Sequence, residues 1–197
     1  VEIFESLQGE GYNTGMSAVF IRLGKCNLAC AWCDTDYLKF GMMRLSDILS
    51  RLQTYAARNI IITGGEPTIQ PHLSVLLDAL KEQGYRLCIE TNGLKPAPAQ
   101  IDYVAASPKA CYAEKYRQQC IEAADEVRIV ADGDVLAFCA EMEQKIRAAH
   151  YYLSPCEIDG QMNIYDTIRQ IGLLNARADA QVHWQLSVQT HKWAGIE

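Results

Sequence analysis

Residues 16–35 read MSAVFIRLGKCNLACAWCDT, a short apolar run followed at once by a loop with three cysteines. We interpret 16–23 as a strand, and Cys26, Cys30 and Cys33 follow it with the spacing C-x3-C-x2-C. Three thiolates on one short loop can converge on a soft metal centre. The centre is either a zinc ion with a fourth ligand from elsewhere or a 4Fe–4S cluster whose fourth iron has no protein ligand. Because the loop is polar, we disfavour a purely structural role for these cysteines.

Short β-rich runs and longer helical runs alternate along most of the chain, which predicts a mainly parallel sheet with right-handed crossovers. Seven strands and four or five helices are too few for a closed eightfold barrel of about 250 residues. We therefore predict an α/β fold, an open, incomplete TIM-like barrel formed by a single domain over residues 1–197. The predicted strands are 16–23, 59–63, 85–90, 101–106, 126–130, 150–154 and 180–188, and the predicted helices are 44–58 (with Ser46 as a candidate cap), 71–83, 114–124, 134–148 and 165–177.

Composition and charge narrow the class of protein. Of 197 residues, 49% are apolar and 21% charged, which is typical of a globular chain rather than a disordered or fibrous one. The net charge of −6 argues against a nucleic-acid groove or an anionic membrane surface as partner. No apolar run approaches the roughly 18 residues of a membrane span, and no cleavable leader opens the chain. The other cysteines are scattered, so we expect ordinary thiols in a reducing, cytoplasmic compartment: Cys88, Cys111, Cys120, Cys139 and Cys156.

Polar residues also follow the next two predicted strands, at the edge where the sites of parallel sheets lie. Gly64-Gly65-Glu66-Pro67 comes after 59–63, and two glycines allow a ligand to approach the backbone closely. Glu90 ends the following strand before Thr91-Asn92-Gly93, where its carboxylate suits ribose hydroxyls. Each motif taken singly could be only a turn. Arg22 lies near the end of the first strand, and its forked guanidinium suits a carboxylate.

The cysteine spacing, GGEP and ETNG in this order resemble the radical S-adenosylmethionine (SAM) superfamily. Flanking segments make the chain similar to the 7-carboxy-7-deazaguanine synthase family within it, and the similarity runs from Glu5 to Lys192. These segments are 5–11 (ESLQGEG), 20–23 (FIRL), 31–35 (AWCDT), 62–67 (ITGGEP), 107–109 (SPK) and 189–192 (QTHK).

The resemblance implies a radical SAM lyase with a 4Fe–4S cluster, SAM and Mg²⁺ as cofactors. Members of this family convert 6-carboxy-5,6,7,8-tetrahydropterin to 7-carboxy-7-deazaguanine with loss of ammonia, in queuosine biosynthesis. A radical formed from SAM removes hydrogen from the carbon that bears the carboxylate, and SAM is regenerated. The family also implies a homodimer and a flavodoxin-like electron donor, with no nucleic-acid or membrane partner. The alternative is an activating enzyme that makes a glycyl radical on a partner protein, which needs a groove wide enough for a polypeptide loop.

The resemblance also implies roles for individual residues. Cys26, Cys30 and Cys33 are the implied ligands of three irons, and Thr35 is the implied ligand of magnesium. The residues implied for SAM are Gly65, Glu66, Glu90, Asn92, Ser107, Pro108, Lys109, Ser154, Pro155, Cys156 and Glu157. The residues implied for the substrate are Leu7, Gln8, Gly9, Glu10, Arg22, Thr63 and His191.

Overall fold

The structure is a computed structural model that describes residues 1–33, 35–37, 39–158 and 160–196. Asp34, which is part of the AWCDT segment, lies outside the described residues. The strands are β1 (Glu2–Leu7), β2 (Ser17–Leu23), β3 (Asn59–Gly64), β4 (Arg86–Thr91), β5 (Tyr103–Ala106), β6 (Glu126–Ala131), β7 (His150–Pro155), β8 (Glu157–Ile158), β9 (Gln161–Met162) and β10 (Trp184–Leu186). The helices are α1 (Leu45–Leu52), α2 (Leu73–Glu82), α3 (Ala113–Gln118), α4 (Leu136–Lys145), α5 (Ile164–Asn175) and α6 (Thr190–Ala194).

One sheet of eight strands forms the body of the fold, in the order β1-β2-β3-β4-β5-β6-β7-β10. Strand β1 runs antiparallel to β2, and every other neighbouring pair in this sheet is parallel. Strands β1 and β10 end the order and do not pair with each other in the described part of the chain, so the barrel is open. The open, incomplete barrel that the sequence predicts is therefore confirmed. The separate hairpin β8–β9 follows β7.

The sheet has two chemically different faces, because side chains alternate along a strand. One face lies under the helices and is apolar, with Ile21, Ile62 and Ile89 in one cluster and Val127 and Ile129 in another. The alternate positions of the same strands carry polar side chains that face the interior of the open barrel. These are Arg22, Thr63, Glu90, Glu126 and Arg128, and each borders a cavity there.

Each predicted strand and helix overlaps an observed one, and the differences have local causes. The sequence pattern does not predict β1, because Ile3 is its only buried residue and the strand lacks a continuous apolar run. Helix α1 ends at Leu52 rather than at residue 58, and the segment after it bonds to β1, where the Glu5 carboxylate accepts from the backbone N–H of Ala57 at 2.7 Å. Ser46 does not cap this helix: the hydroxyl contacts the neighbouring Asp47 carboxylate, and the cap position is Arg44.

Within the described ranges, no helix is long and apolar enough to cross a membrane.

We expect opposite effects on stability from two Gly-to-Ala substitutions. Gly64 has a φ of +130° and a Cβ there would overlap the Leu23 carbonyl oxygen, so G64A should lower the free energy of unfolding by at least about 2 kcal/mol. Gly172 lies within α5 with no heavy atom near the added Cβ, so G172A should raise it by about 0.5–1 kcal/mol. Urea denaturation of both variants measures the difference. Equal effects would show that the close approach at Gly64 is not a constraint.

Candidate active site

A cavity of about 560 Å³ opens on the inner face of the sheet, at the carboxyl ends of its parallel strands. It is lined by residues of the cysteine loop, of the loop after β1 and of the C-terminal segment. Most residues that the sequence assigns to a site border it: Leu7, Gln8, Gly9, Glu10, Arg22, Cys26, Cys30, Cys33, Thr35, Thr63, Gly65, Glu90, Asn92, Ser107, Lys109 and His191. The lining does not include Glu66, Pro108, Ser154, Pro155, Cys156 or Glu157.

Hydrogen bonds from distant parts of the chain hold the cysteine loop in place. The Trp32 indole N–H donates to the Asp132 carboxylate at 2.8 Å, just beyond β6. The Asn92 amide donates to the side-chain oxygen of Asn27 at 2.7 Å, and the Tyr112 hydroxyl accepts from the N–H of Ala29 at 3.0 Å. These contacts come from the ends of three different strands or their following turns. The loop is therefore held over the cavity by the same edge of the sheet that carries the other polar groups.

The three thiols face the cavity without meeting at one point. Burial raises the pKa of Cys26, and it raises the pKa of Cys30 to about 12, so both thiols stay protonated unless a positive centre draws off the proton. Among the described residues, no three or more His, Cys, Asp or Glu side chains converge closely enough to hold a single metal ion.

The Gly64-Gly65 pair brings the end of β3 against the start of the cysteine loop. The N–H of Gly65 donates to the Leu23 carbonyl and the N–H of Glu66 donates to the Lys25 carbonyl, both at 2.9 Å. A Cβ on Gly65 would overlap the Lys25 carbonyl oxygen. Gly65 also lines the cavity, so the glycine leaves its backbone open to a ligand on one side and to the cysteine loop on the other.

Glu66 is fully buried and ties two turns together instead of facing the cavity. Its carboxylate accepts hydrogen bonds from the N–H and hydroxyl of Thr68, the Thr91 hydroxyl and the N–H of Asn92, at 2.7–3.0 Å. The turn after β3 is thereby fixed to the turn after β4. The carboxylate positions Gly65 and Asn92, which do reach the cavity.

Arg128 is a central residue of the cavity that the sequence reasoning missed. The guanidinium, with the side chain only 7% exposed, pairs with Glu10 at 2.9 Å, with Glu126 at 2.9 Å and with Glu90. The segment 126–130 reads EVRIV and looks like an apolar strand. One feature of the sequence could have indicated this role: Glu126 and Arg128 are charged residues at alternate positions of a buried strand. A buried charge requires a partner, so a paired, functional position could have been expected here.

Besides the thiols, burial also perturbs a carboxyl group and an ammonium group in the cavity. Removal from water raises the pKa of Glu90 to about 7, although the Arg128 guanidinium opposes this and the carboxylates of Glu126 and Glu10 reinforce it. Burial lowers the pKa of Lys109, whose ammonium donates to the Ser107 hydroxyl at 2.7 Å and lies over the Trp32 ring. The cavity lining thus brings carboxylates, such as Glu90, together with cations, such as Arg128 and Lys109.

The C-terminal segment closes one side of the cavity. The N–H of Thr190 donates to the Gly9 carbonyl at 3.0 Å, and the Gln189 amide donates to the Glu10 carboxylate at 2.6 Å. Gly9 lies so close to the His191 ring that a Cβ there would overlap it. His191, from the last described helix, is thereby held against the loop after β1.

Comparisons with known proteins identify relatives of this chain. The model of the radical SAM superfamily matches residues 20–112, from within β2 to the turn after β5. The 7-carboxy-7-deazaguanine synthase of Neisseria meningitidis serogroup B is 83% identical over the whole chain and 93% of its own length. The chain belongs to the 7-carboxy-7-deazaguanine synthase family. The family member from Haemophilus influenzae is 59% identical over the whole chain and 93% of its own length. A solved structure titled "Crystal structure of QueE from Escherichia coli" has a TM-score of 0.68 at 27% identity, covering 95% of this chain and 92% of that one.

Membership in a radical SAM family of 7-carboxy-7-deazaguanine synthases implies an enzyme that uses a 4Fe–4S cluster and SAM. The residues present fit both groups. Three thiols border the cavity, and the Gly65 backbone is open to it. Among the buried side-chain nitrogen and oxygen atoms of the described residues, only the Ser154 hydroxyl lacks a hydrogen-bond partner, and Ser154 pairs in register with the cavity-lining Val130. An unpartnered buried hydroxyl beside the cavity fits a polar group of a bound ligand.

Replacing Glu90 with Gln should remove a pH dependence of stability. The pKa of Glu90 is about 7 in the folded chain against an ordinary 4.5, so the folded state holds more protons between these values. The wild-type free energy of unfolding should therefore fall, by up to roughly 2 kcal/mol, as the pH rises from about 5 to about 8. Urea denaturation of the metal-free chain at several pH values measures this, with the exposed Glu122→Gln as control. A fall of the same size in E90Q would contradict the assignment.

Proposed function

We propose that this chain carries out the ring contraction of 6-carboxy-5,6,7,8-tetrahydropterin to 7-carboxy-7-deazaguanine, with loss of ammonia, in queuosine biosynthesis. The observation that carries the proposal is that one cavity is bordered by Cys26, Cys30 and Cys33 and also by Arg22 and His191. The family membership reported above supports the same reaction. The groups that the reaction needs therefore border one space, as proximity catalysis requires.

Cys26, Cys30 and Cys33 would hold the 4Fe–4S cluster, and Trp32 would shield it from solvent. When bound, the cluster and SAM supply a carbon radical that removes one hydrogen atom from the substrate. The protein's part is to orient and to exclude water. Cys33 is exposed, so the cluster would lie close to the surface, which supports an approach by a flavodoxin-like electron donor.

The SAM side of the cavity would be formed by the turns after β3, β4 and β5. Gly65 and Asn92 offer backbone and amide groups, and the carboxylate of Glu90 suits the ribose hydroxyls. The buried Lys109 ammonium suits the SAM carboxylate. The full SAM set that we propose is Gly65, Glu66, Glu90, Asn92, Ser107, Pro108, Lys109, Ser154, Pro155, Cys156 and Glu157. Of these, Glu66 would act through the turns that it ties together, and Ser154 through its unpartnered hydroxyl.

The substrate side would be formed by β1, β2 and the C-terminal segment. Arg22 lies near the carboxyl end of β2, with its guanidinium over the Phe4 ring and paired with Glu2 at 2.7 Å. A guanidinium in this position suits the substrate carboxylate, which would compete with Glu2. Gln8 and Glu10 would form hydrogen bonds with the polar edge of the pterin, and His191 would close the cavity. The full substrate set is Leu7, Gln8, Gly9, Glu10, Arg22, Thr63 and His191.

We also propose that Thr35 ligates Mg²⁺ together with substrate oxygens. Its hydroxyl is a hard oxygen donor on the wall of the cavity, and magnesium takes few ligands from the protein.

A homodimer is proposed on family grounds, and the edges of β1 and β10 that end the described sheet give such a contact a physical reason. We further propose that residues 1–197 act as one domain in the cytoplasm. The glycyl-radical alternative is not favoured, because the C-terminal segment narrows the cavity and the relatives are deazaguanine synthases.

Anaerobic turnover tests the proposal directly. The protein with a reconstituted cluster should convert 6-carboxy-5,6,7,8-tetrahydropterin to 7-carboxy-7-deazaguanine in the presence of dithionite, SAM and Mg²⁺, as followed by mass spectrometry. Removing Mg²⁺ with a chelator should slow the reaction, and T35A should respond less to added Mg²⁺. Absence of product from protein with an intact cluster would reject the proposed function.

Substitution of Arg22 separates substrate binding from cofactor chemistry. R22A removes a charged hydrogen-bonding partner of the substrate carboxylate, so kcat/KM should fall by roughly 10- to 100-fold. The iron content and the reductive cleavage of SAM should be retained. Arg169→Ala, at an exposed pair on α5, is the matched control and should behave as wild type. Loss of iron from R22A would show that Arg22 supports the cysteine loop instead.

A further inference from the structure

Arg128 occupies the centre of a closed ring of hydrogen bonds. Its Nε pairs with Oε2 of Glu10 at 2.9 Å, and its Nη2 pairs with Oε2 of Glu90. The other oxygen of Glu90 accepts from the Gln8 amide at 2.8 Å. The Gln8 side-chain oxygen in turn accepts from the backbone N–H of Glu10 at 3.1 Å, which returns the ring to its start. A shift of either carboxylate must therefore change the bonds of the other.

The third nitrogen of the guanidinium anchors the ring to the sheet. Nη1 pairs at 2.9 Å with Glu126, whose side chain is only 2% exposed. The second oxygen of Glu126 accepts from the N–H of Tyr12 at 2.8 Å and from the Tyr103 hydroxyl at 3.0 Å. Both oxygens of the Glu126 carboxylate thus have hydrogen-bond partners within the protein. Arg128 is therefore held to the sheet through Glu126, while its other nitrogens bond to Glu10 and Glu90, which both border the cavity.

Those two carboxylates belong to the two halves of the cavity. The side chains of Glu10 and Glu90 are 17% and 18% exposed, and both border the cavity. Under the proposed function, Glu90 faces SAM and Glu10 faces the pterin. A buried cluster of three carboxylates around one guanidinium is a poor source of stability, because desolvation of the charges opposes their attraction. The arrangement is better explained by the order that it imposes on both ligand sites.

We propose that Arg128 is a positioning residue that couples the SAM site to the substrate site, so that each ligand strengthens the binding of the other. The first ligand fixes one carboxylate and, through the guanidinium, orders its partner before the second ligand arrives. Coupling of this kind is reciprocal, and the pterin must change SAM affinity by the same factor as SAM changes pterin affinity. The inference rests on the proposed function for the identity of the two ligands.

Binding measurements without turnover test the coupling. Anaerobic calorimetry on the cluster-loaded enzyme with no reductant gives the SAM dissociation constant with and without 6-carboxy-5,6,7,8-tetrahydropterin. In the wild type we expect the pterin to lower this constant by about tenfold, and the reverse titration to give the same factor. In Arg128→Lys, which keeps the charge but loses the fork, the factor should fall to below about twofold. Arg177→Lys alters a buried Arg–Glu pair away from the cavity and should keep the wild-type factor.

Turnover supplies a second readout that a purely structural role would not move. The proposed reaction regenerates SAM, so net SAM consumption per product measures radical formation without a positioned substrate. This ratio should rise at least severalfold in R128K. The KM for the pterin should also rise, whereas the iron content should change less. Should R128K fail to fold, Glu10→Gln cuts the same ring while keeping the side-chain volume, and it should lose the coupling as well.

The outcomes separate the two proposals. A wild-type coupling factor near one, or a factor that R128K and E10Q leave unchanged, would overturn the role of Arg128 even if the enzyme makes product. Absence of product from a wild type that binds both ligands would instead reject the proposed function.

Discussion

The two-residue alternation of side chains along parallel strands is the constraint on which this structure depends. One set of positions must be apolar, because the helices cover it, and Ile21, Ile62 and Ile89 occupy it. The other set faces an open interior that solvent and ligands can enter, so it can carry charge. Arg22, Thr63 and Glu90 are the direct neighbours of those three isoleucines. Core and site are thus two faces of the same strands, and a one-residue slip would exchange them.

Much of the fold follows from local sequence, because long segments with periodic apolar residues can be recognised as strands or helices. The strand 59–63 and the helix stripe of Leu73, Leu76, Leu77 and Leu80 are examples that the structure bears out. Strand β1 could not be predicted in this way, because most of its residues are at least partly exposed and its pairing with β2 supplies the order. The segment after α1 likewise bonds to Glu5 in that same strand. In both cases the local structure involves contacts with a distant segment.

The residues of the site divide in the same way, into those that local sequence predicts and those that depend on distant segments. Residues that directly follow strands could be placed together in advance, because parallel strands deliver their carboxyl ends to one edge. Cys26, Gly65 and Asn92 fall in this group and do meet at the cavity. Glu66 is buried beneath the turns, and its carboxylate accepts a hydrogen bond from Thr91. This role has no local sequence signature, because it depends on where the fold places Thr91. The partnership of Arg128 with Glu10 likewise joins a buried strand to a distant loop, and only the folded chain brings them together.

The contact between Gly9 and Thr190 joins residues 181 positions apart, near opposite ends of the described chain. A polypeptide emerging from the ribosome can pair its early strands and present the cysteine loop long before Thr190 has been made. The cavity wall formed by Gly9 and the C-terminal segment therefore cannot be completed until synthesis has passed Thr190.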